Sequence, residues 1–318
     1  MGGSGGGGYG GGTNPSDLAR EVRKSAQQVQ NQQYQVDSTR LIDSLLIAAN
    51  NRDNEQIQSE LDRILQALHG DIDGSLKLLF GGSVAKHTYV DGLSDIDCLV
   101  LLDKSELMGK SPQEVREYFA AQLHDRFPRS EVKVGDLCVT LRFGHRQIQL
   151  LPAMKSMGKF RIPEIGGKRW STIDPRAFTS ALTNVNQLRG GIVVPTIKLV
   201  KSIISDFPEN RRLSGYHVEA LAVEIFKSYT GPTTKKSMLM HFFSAASERV
   251  LQPAKDMTGQ STFIDDHLGK SRSLPRQLVS DGLARIHRKM QNAEDFGQTG
   301  EWETIFQAQL LRHEKRTG

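Results

Sequence analysis

Gly81-Gly82-Ser83, followed at a short interval by Ser94-Asp95-Ile96-Asp97 and the apolar run Cys98-Leu99-Val100-Leu101-Leu102, constrains this chain more than any other stretch. It reads as a strand end, a glycine-rich turn, and a second strand carrying alternate carboxylates. Two glycines let the backbone approach a ligand closely, and Ser83 adds a short hydroxyl at the same place. Side chains at i and i+2 share a strand face, so Asp95 and Asp97 point one way while Ile96 and Cys98 face the opposite side. A turn able to cradle phosphates, beside two carboxylates able to hold Mg²⁺, is the equipment of metal-assisted nucleotidyl transfer. Taken singly, an Asp-x-Asp is ordinary solvated strand-end chemistry and a Gly-Gly-Ser an ordinary turn. Their spacing and hydrophobic framing together carry the reading.

A chain of 318 residues has room for two packed lobes or one large α/β unit. Its 37% hydrophobic and 24% charged residues are ordinary for a soluble protein. No apolar run approaches the roughly 20 residues that a membrane span needs, so no membrane partner is expected. The net charge of +5 agrees with a polyanionic ligand such as a nucleotide, and is too small to argue for DNA or RNA. Residues 1–15 are Gly-rich and read as a flexible tail, without the basic-then-apolar pattern of a secretory leader. Cys98 and Cys138 both fall in expected apolar strands, and read as buried, unpaired thiols of a reducing cytoplasm. Nine histidines show no zinc-ligand spacing.

Helical periodicity runs from Ser16 to about Ala49 and again through Ile57, Leu61, Ile64, Leu65 and Leu68, with a break at Asn50-Asn51-Arg52-Asp53. Residues 76–80 form a short strand into the Gly-Gly-Ser turn, and Ser111-Pro112 opens a helix over 111–126. Residues 129–142 and 146–152 pair as a hairpin about Gly144-His145, and 153–175 read as a loop. Everything beyond is helical, with Pro195 placed for a first turn. The expected class is α+β: a flexible tail (1–15), a core with a small mixed sheet and N-terminal bracing helices (16–175), and a helical lobe (176–318).

Within that lobe, Lys198 and Lys201 share a helix face while Ile197, Val200 and Ile204 form a buried stripe. Alone, the lysines read as a solvated pair and Tyr216 as a core or lobe-interface aromatic. In company they do more. The Gly-Ser…Asp-x-Asp pattern resembles the signature of the DNA polymerase β-like nucleotidyltransferase superfamily. The order of that core, then Lys198-Leu199-Val200-Lys201, then Leu213-Ser214-Gly215-Tyr216-His217, resembles the bacterial CD-NTase family. These are relatives of animal cyclic GMP–AMP synthase and oligoadenylate synthase. Phe160 to Pro163, Trp170-Ser171, Thr258 to Ser261, Asp265 to Gly269 and Trp302 to Phe306 also fit, so the resemblance covers about 35–310.

The resemblance implies a polymerase β-like fold and a cytoplasmic enzyme that makes a cyclic di- or trinucleotide from NTPs with release of pyrophosphate. It also implies service in antiphage signalling of the CBASS type, where a separate effector protein reads the product, and a possible regulatory protein or ligand. Gly82 and Ser83 would hold the donor triphosphate, and Asp95 and Asp97 would bind two Mg²⁺ (or Mn²⁺) ions and serve as catalytic residues. Lys198, Lys201 and Ser214 would neutralise the β- and γ-phosphates, and Tyr216 would stack on a base. The superfamily pattern has a third carboxylate on the following strand, just before a Leu-x-Pro. This chain has Gln149 there, before Leu150-Leu151-Pro152-Ala153. An amide can accept a hydrogen bond or ligate weakly, but brings no charge and cannot act as a base. Two other readings therefore stand beside the first: a catalytically silent nucleotide or RNA sensor, and a nucleotidyltransferase acting on RNA or protein.

Overall fold

The computed structural model describes residues 15–50, 54–70, 76–80, 86–88, 96–102, 105–143, 146–156, 159–164, 166–173, 175–208, 211–255, 264–307 and 310–311. Two helices come first, α1 (Pro15–Asn50) and α2 (Asn54–His69), then the strands β1 (Lys77–Phe80) and β2 (Ile96–Leu101). After α3 (Pro112–Arg126) the chain lays down β3 (Glu131–Val134), β4 (Val139–Phe143), β5 (Arg146–Ser156), β6 (Lys159–Pro163) and β7 (Trp170–Ile173). The rest is helical: α4 (Pro175–Leu188), α5 (Val193–Ile204), α6 (Gly215–Lys227), α7 (Lys235–Arg249), α8 (Leu274–Phe296) and α9 (Thr299–Ile305). The start of α3 has a local cause. Ser111 Oγ accepts from the Glu114 amide, the Glu114 carboxylate accepts from the Ser111 amide, and Pro112 opens the first turn.

The seven strands form one mixed sheet in the order β1-β2-β5-β4-β3, with β6 added along β5 and β7 along β6. Among the described residues only β2 and β5 run parallel; the other pairs are antiparallel. Two stretches differ from the sequence reading. Residues 129–142 are not one strand: Gly135 to Cys138 turn the chain, closed by the Gly135 amide donating to the Cys138 carbonyl at 2.9 Å, so Cys138 sits beside the turn rather than inside a strand. Residues 153–175, expected as a loop, hold the end of β5 and the β6–β7 hairpin. Pro163 and Gly166-Gly167 resemble loop chemistry, but Pro163 ends β6 opposite Trp170 and the two glycines lie in the connection to β7. Gly167 is at φ 68°, and a Cβ there would fall 2.2 Å from Arg116 Nη1 and 2.3 Å from the Asp136 carbonyl, so only glycine fits.

Two cores result. Ile96, Cys98 and Val100 of β2 and Ile148 and Leu150 of β5 pack with Ile57, Leu61 and Ile64 of α2 and Val115, Phe119 and Leu123 of α3. The larger core belongs to α4–α9, and α1 joins it through Tyr34, Ile42 and Leu45. Tyr34 ties the junction: its hydroxyl donates to Glu294 Oε1 at 2.6 Å and accepts from Trp302 Nε1 at 2.8 Å. So α2 braces the sheet and α1 braces the helical lobe. No helix among the described residues is long and apolar enough to cross a membrane.

Candidate active site

Strand alternation delivers the expected polar face. With Ile96, Cys98 and Val100 buried under the helices, Asp97 projects from the other side of β2. The β2–β5 register sets Asp97 directly beside Gln149 on the parallel neighbour, so the two side chains stand together. Gln149 is fixed from its far side, where Cys138 Sγ donates to its Oε1 at 3.7 Å. Asp95, Gly82 and Ser83 lie outside the described residues, and among the described residues no three His, Cys, Asp or Glu side chains converge.

The helical lobe brings Lys201 within the field of Asp97. Ile197, Val200 and Ile204 of α5 are buried as the stripe requires, but Lys198 and Lys201 are not solvated: they are 5% and 6% exposed. The Lys198 ammonium donates to Asn50 Oδ1 at the end of α1. Lys201 Nζ donates to Glu219 Oε1 at 2.7 Å, to the Thr88 carbonyl at 3.1 Å and to Thr88 Oγ1 at 3.4 Å. Burial pulls the Lys201 pKa down, Glu219 and the field of Asp97 push it back up, and the balance stays below an ordinary lysine.

Ser214 is the N-cap of α6, its hydroxyl accepting from the His217 amide at 3.1 Å. The next residue, Gly215, lies close to the Lys201 ammonium: a Cβ there would stand 3.3 Å from both Cε and Nζ of Lys201, so the lysine tip would have to shift by a few tenths of an ångström. Tyr216 is half-buried, its ring 4.8 Å from that of Phe178 on α4. Lys86 lies over both rings, 4.7 Å from the Phe178 centroid and 5.2 Å from that of Tyr216.

Glu219 joins these groups and was not legible as a site residue. Its carboxylate, 1% exposed, pairs with Lys201 and Lys86 and accepts from the Thr88 hydroxyl. Burial opposes its charge, but the two ammonium groups prevail and hold its carboxyl below the usual range. The available signal was a lone acid set among Val218, Ala220, Leu221, Ala222 and Val223, where a charge must find a partner. Lys86 and Thr88, a few residues beyond the Gly-Gly-Ser turn, carried no signal of their own. Behind α6, buried His217 has its Nε2 3.5 Å from Asp265 Oδ2, which accepts from Arg276 Nη1 at 2.7 Å.

The site thus joins a carboxylate-bearing sheet to a helical lobe that supplies buried cations and an aromatic ring. The profile of the Second Messenger Oligonucleotide or Dinucleotide Synthetase domain, SMODS, matches residues 15–186. The chain belongs to the SMODS family. As a SMODS protein it is a CD-NTase, a nucleotidyltransferase of the class that makes cyclic oligonucleotides, on a polymerase β-like α+β core. Solved structures similar to it include CdnC of E. coli MS115-1 with ATP, at 15% identity and TM-score 0.57 over 79% of this chain and 91% of that one. CdnC has also been solved in complex with HORMA-deltaN. CdnG of Bradyrhizobium diazoefficiens in complex with GTP gives 12% identity and TM-score 0.60, over 87% and 98%. The DncV cyclic AMP-GMP synthase of Vibrio cholerae with nonhydrolyzable GTP gives 11% and 0.59, over 91% and 90%. These likenesses are of fold. A comparison with curated proteins gives no significant match.

Proposed function

We propose that this SMODS protein joins NTPs into a cyclic di- or trinucleotide, each bond forming as a ribose hydroxyl attacks an α-phosphate and pyrophosphate leaves. The observation that carries the reading is Asp97 beside Gln149 on the parallel strands, within the field of Lys201. The donor types present suit a hard divalent cation: a half-buried carboxylate and an amide oxygen side by side. Asp95 and Asp97 would hold the Mg²⁺ or Mn²⁺ ions, with Gln149 a neutral neighbour in place of a third acid. Bound there, such ions supply charge neutralisation at the α-phosphoryl oxygens and the departing pyrophosphate.

The remaining roles fall to the chain itself. Gly82 and Ser83 hold triphosphate oxygens, while Lys198, Lys201 and Ser214 at the α6 N-terminus offset the β- and γ-phosphate charge. Tyr216 stacks on a base. In this reading the product is a messenger in antiphage defence within the cytoplasm, where a separate effector protein receives it. The complex of CdnC with HORMA-deltaN is the motive for including a regulatory protein among the partners.

The test is to incubate the protein with all four NTPs and Mg²⁺ or Mn²⁺, treat with phosphatase, and weigh what survives by mass spectrometry. A resistant species of cyclic di- or trinucleotide mass is expected, and Asp97→Ala should abolish it while leaving the fold intact. Turnover by Asp97→Ala would end the assignment of the cation site. Gln149, which removes an anionic ligand, favours one second reading: a silent nucleotide sensor. Tight NTP binding with no product under either metal would select it.

A further inference from the structure

Lys86, Thr88, Lys201 and Glu219 meet in a set that is largely withdrawn from solvent. Lys86 is 9% exposed at its side chain, Lys201 6% and Glu219 1%, and Thr88 is fully buried. Two ammonium groups on one carboxylate leave an excess positive charge, with Asp97 acting on it from the sheet. Such a set is costly to bury and is retained where it fixes an arrangement rather than for stability alone.

The arrangement that it fixes spans both lobes. Lys86 and Thr88 come from the segment that follows the Gly-Gly-Ser turn, and Lys201 and Glu219 from α5 and α6. Between the two anchored residues, His87 takes the left-handed region at φ 58°, an uncommon conformation for a residue with a Cβ. The exposed His87 and its buried neighbours are what a short segment shows when both flanks are pulled inward. The same carboxylate holds the Lys86 ammonium against Tyr216 and Phe178, so it also sets the attitude of the ring proposed to carry a base.

We infer that Glu219 is a positioning residue for nucleotide binding: it stands in for the anion before the triphosphate arrives, keeping Lys201 aimed at the phosphate site and Lys86 against the Tyr216 ring. Lys86 thereby becomes a further nucleotide-binding cation, beyond Lys198 and Lys201. The inference rests on the proposed function, because it takes an NTP as the occupant. An ammonium engaged by Glu219 and Thr88 can exchange the Thr88 contact for a phosphate oxygen without leaving its counter-ion.

The test measures the Kd for ATP and for GTP with Mg²⁺ by calorimetry on the full chain, with KM, kcat and thermal melting alongside. For Glu219→Gln, Kd and KM should rise about tenfold while kcat changes less than about threefold, since binding rather than the chemical step is affected. Glu219→Asp, which keeps the charge, should recover most of the affinity. Thr88→Val leaves the carboxylate and removes the hydroxyl that donates to it and accepts from Lys201; it should raise Kd about threefold, and it keeps the idea testable if Glu219→Gln folds poorly. Lower melting temperatures with unchanged Kd in the folded variants would mean a purely structural role and overturn the inference. If the natural chain binds NTP without making product, the proposed function fails while the role of Glu219 is still read from Kd. If it binds no NTP, both fall.

Discussion

At the scale of single residues, the pair Asp97 and Gln149 decides how much negative charge the sheet offers. Adjacent in register on parallel strands, they share the partly open face, and Gln149 is steadied by the Cys138 thiol. Glutamate is isosteric with glutamine, so Gln149→Glu changes charge at nearly constant shape. Without a cation, two carboxylates side by side repel, and the melting temperature in EDTA should fall by about 1–3 °C. With Mg²⁺ the variant should gain more stability than the natural chain does, because a third anionic oxygen donor joins Asp95 and Asp97 in the proposed cation site. Equal Mg²⁺-dependent gains in the two proteins would remove position 149 from the cation site. The neutral residue here was visible in the linear chain, from the Leu-Leu-Pro-Ala frame around it. Its thiol partner was not, since that contact depends on the turn at Gly135 to Cys138 that separates β3 from β4.

Helix α6 shows how one element serves two environments. Tyr216 and Glu219 meet Lys86 on one side, while His217 looks back into the lobe against Asp265 and Arg276. Burial pushes the His217 pKa down to about 4; Asp265 opposes this, and His267, Arg276 and Arg249 add to it. The unfolded chain takes up that proton near 6.5, where the folded helix refuses it. The stability that neutral His217 contributes is therefore complete above pH 6.5 and is lost as the pH falls toward 4. The carboxyl of Asp265, held low by Arg276 and the Ala254 amide against the effect of burial, extends the loss in the same direction at still lower pH. Urea midpoints measured between pH 7 and 4 should decline for the natural chain and decline less for His217→Gln. His241 and His287, also lowered by burial, act with the same sign in both proteins, so the difference between them isolates His217. Parallel declines would show that His217 does not carry the effect.

Among the described residues buried charges stand between the two large cores, and the two tryptophans report on those cores separately. Trp170 lies on β7 against the sheet core, while Trp302 is fully buried in the helical core. With Lys201 and Glu219 clamping Thr88, the two cores should unfold together, so Trp170→Phe and Trp302→Phe variants should give coincident denaturant transitions. Adding Glu219→Ala to each should separate the midpoints by removing the carboxylate common to the bridge. Midpoints that stay coincident would place the coupling elsewhere, in the packing of α1 and α2 for example. Periodicity and punctuation in the sequence were enough for the long helices, the α3 cap, the strand before the Gly-Gly-Ser turn and the α+β class, because each depends on residues close together along the chain. The family came from the resemblance of motifs in their order along it. The hairpin of β6 and β7 escaped that reading, since its glycines and proline look the same in a loop as in a turn between paired strands. The fate of the charges escaped it too. Lys198 and Lys201 have the spacing of a solvated face, and what removes their water is the approach of Asn50, Thr88 and Glu219 from distant parts of the chain. A charge's partner is set by burial, and burial is a property of the assembled structure, so only the tertiary fold could decide which cations stand at the site and what holds them there.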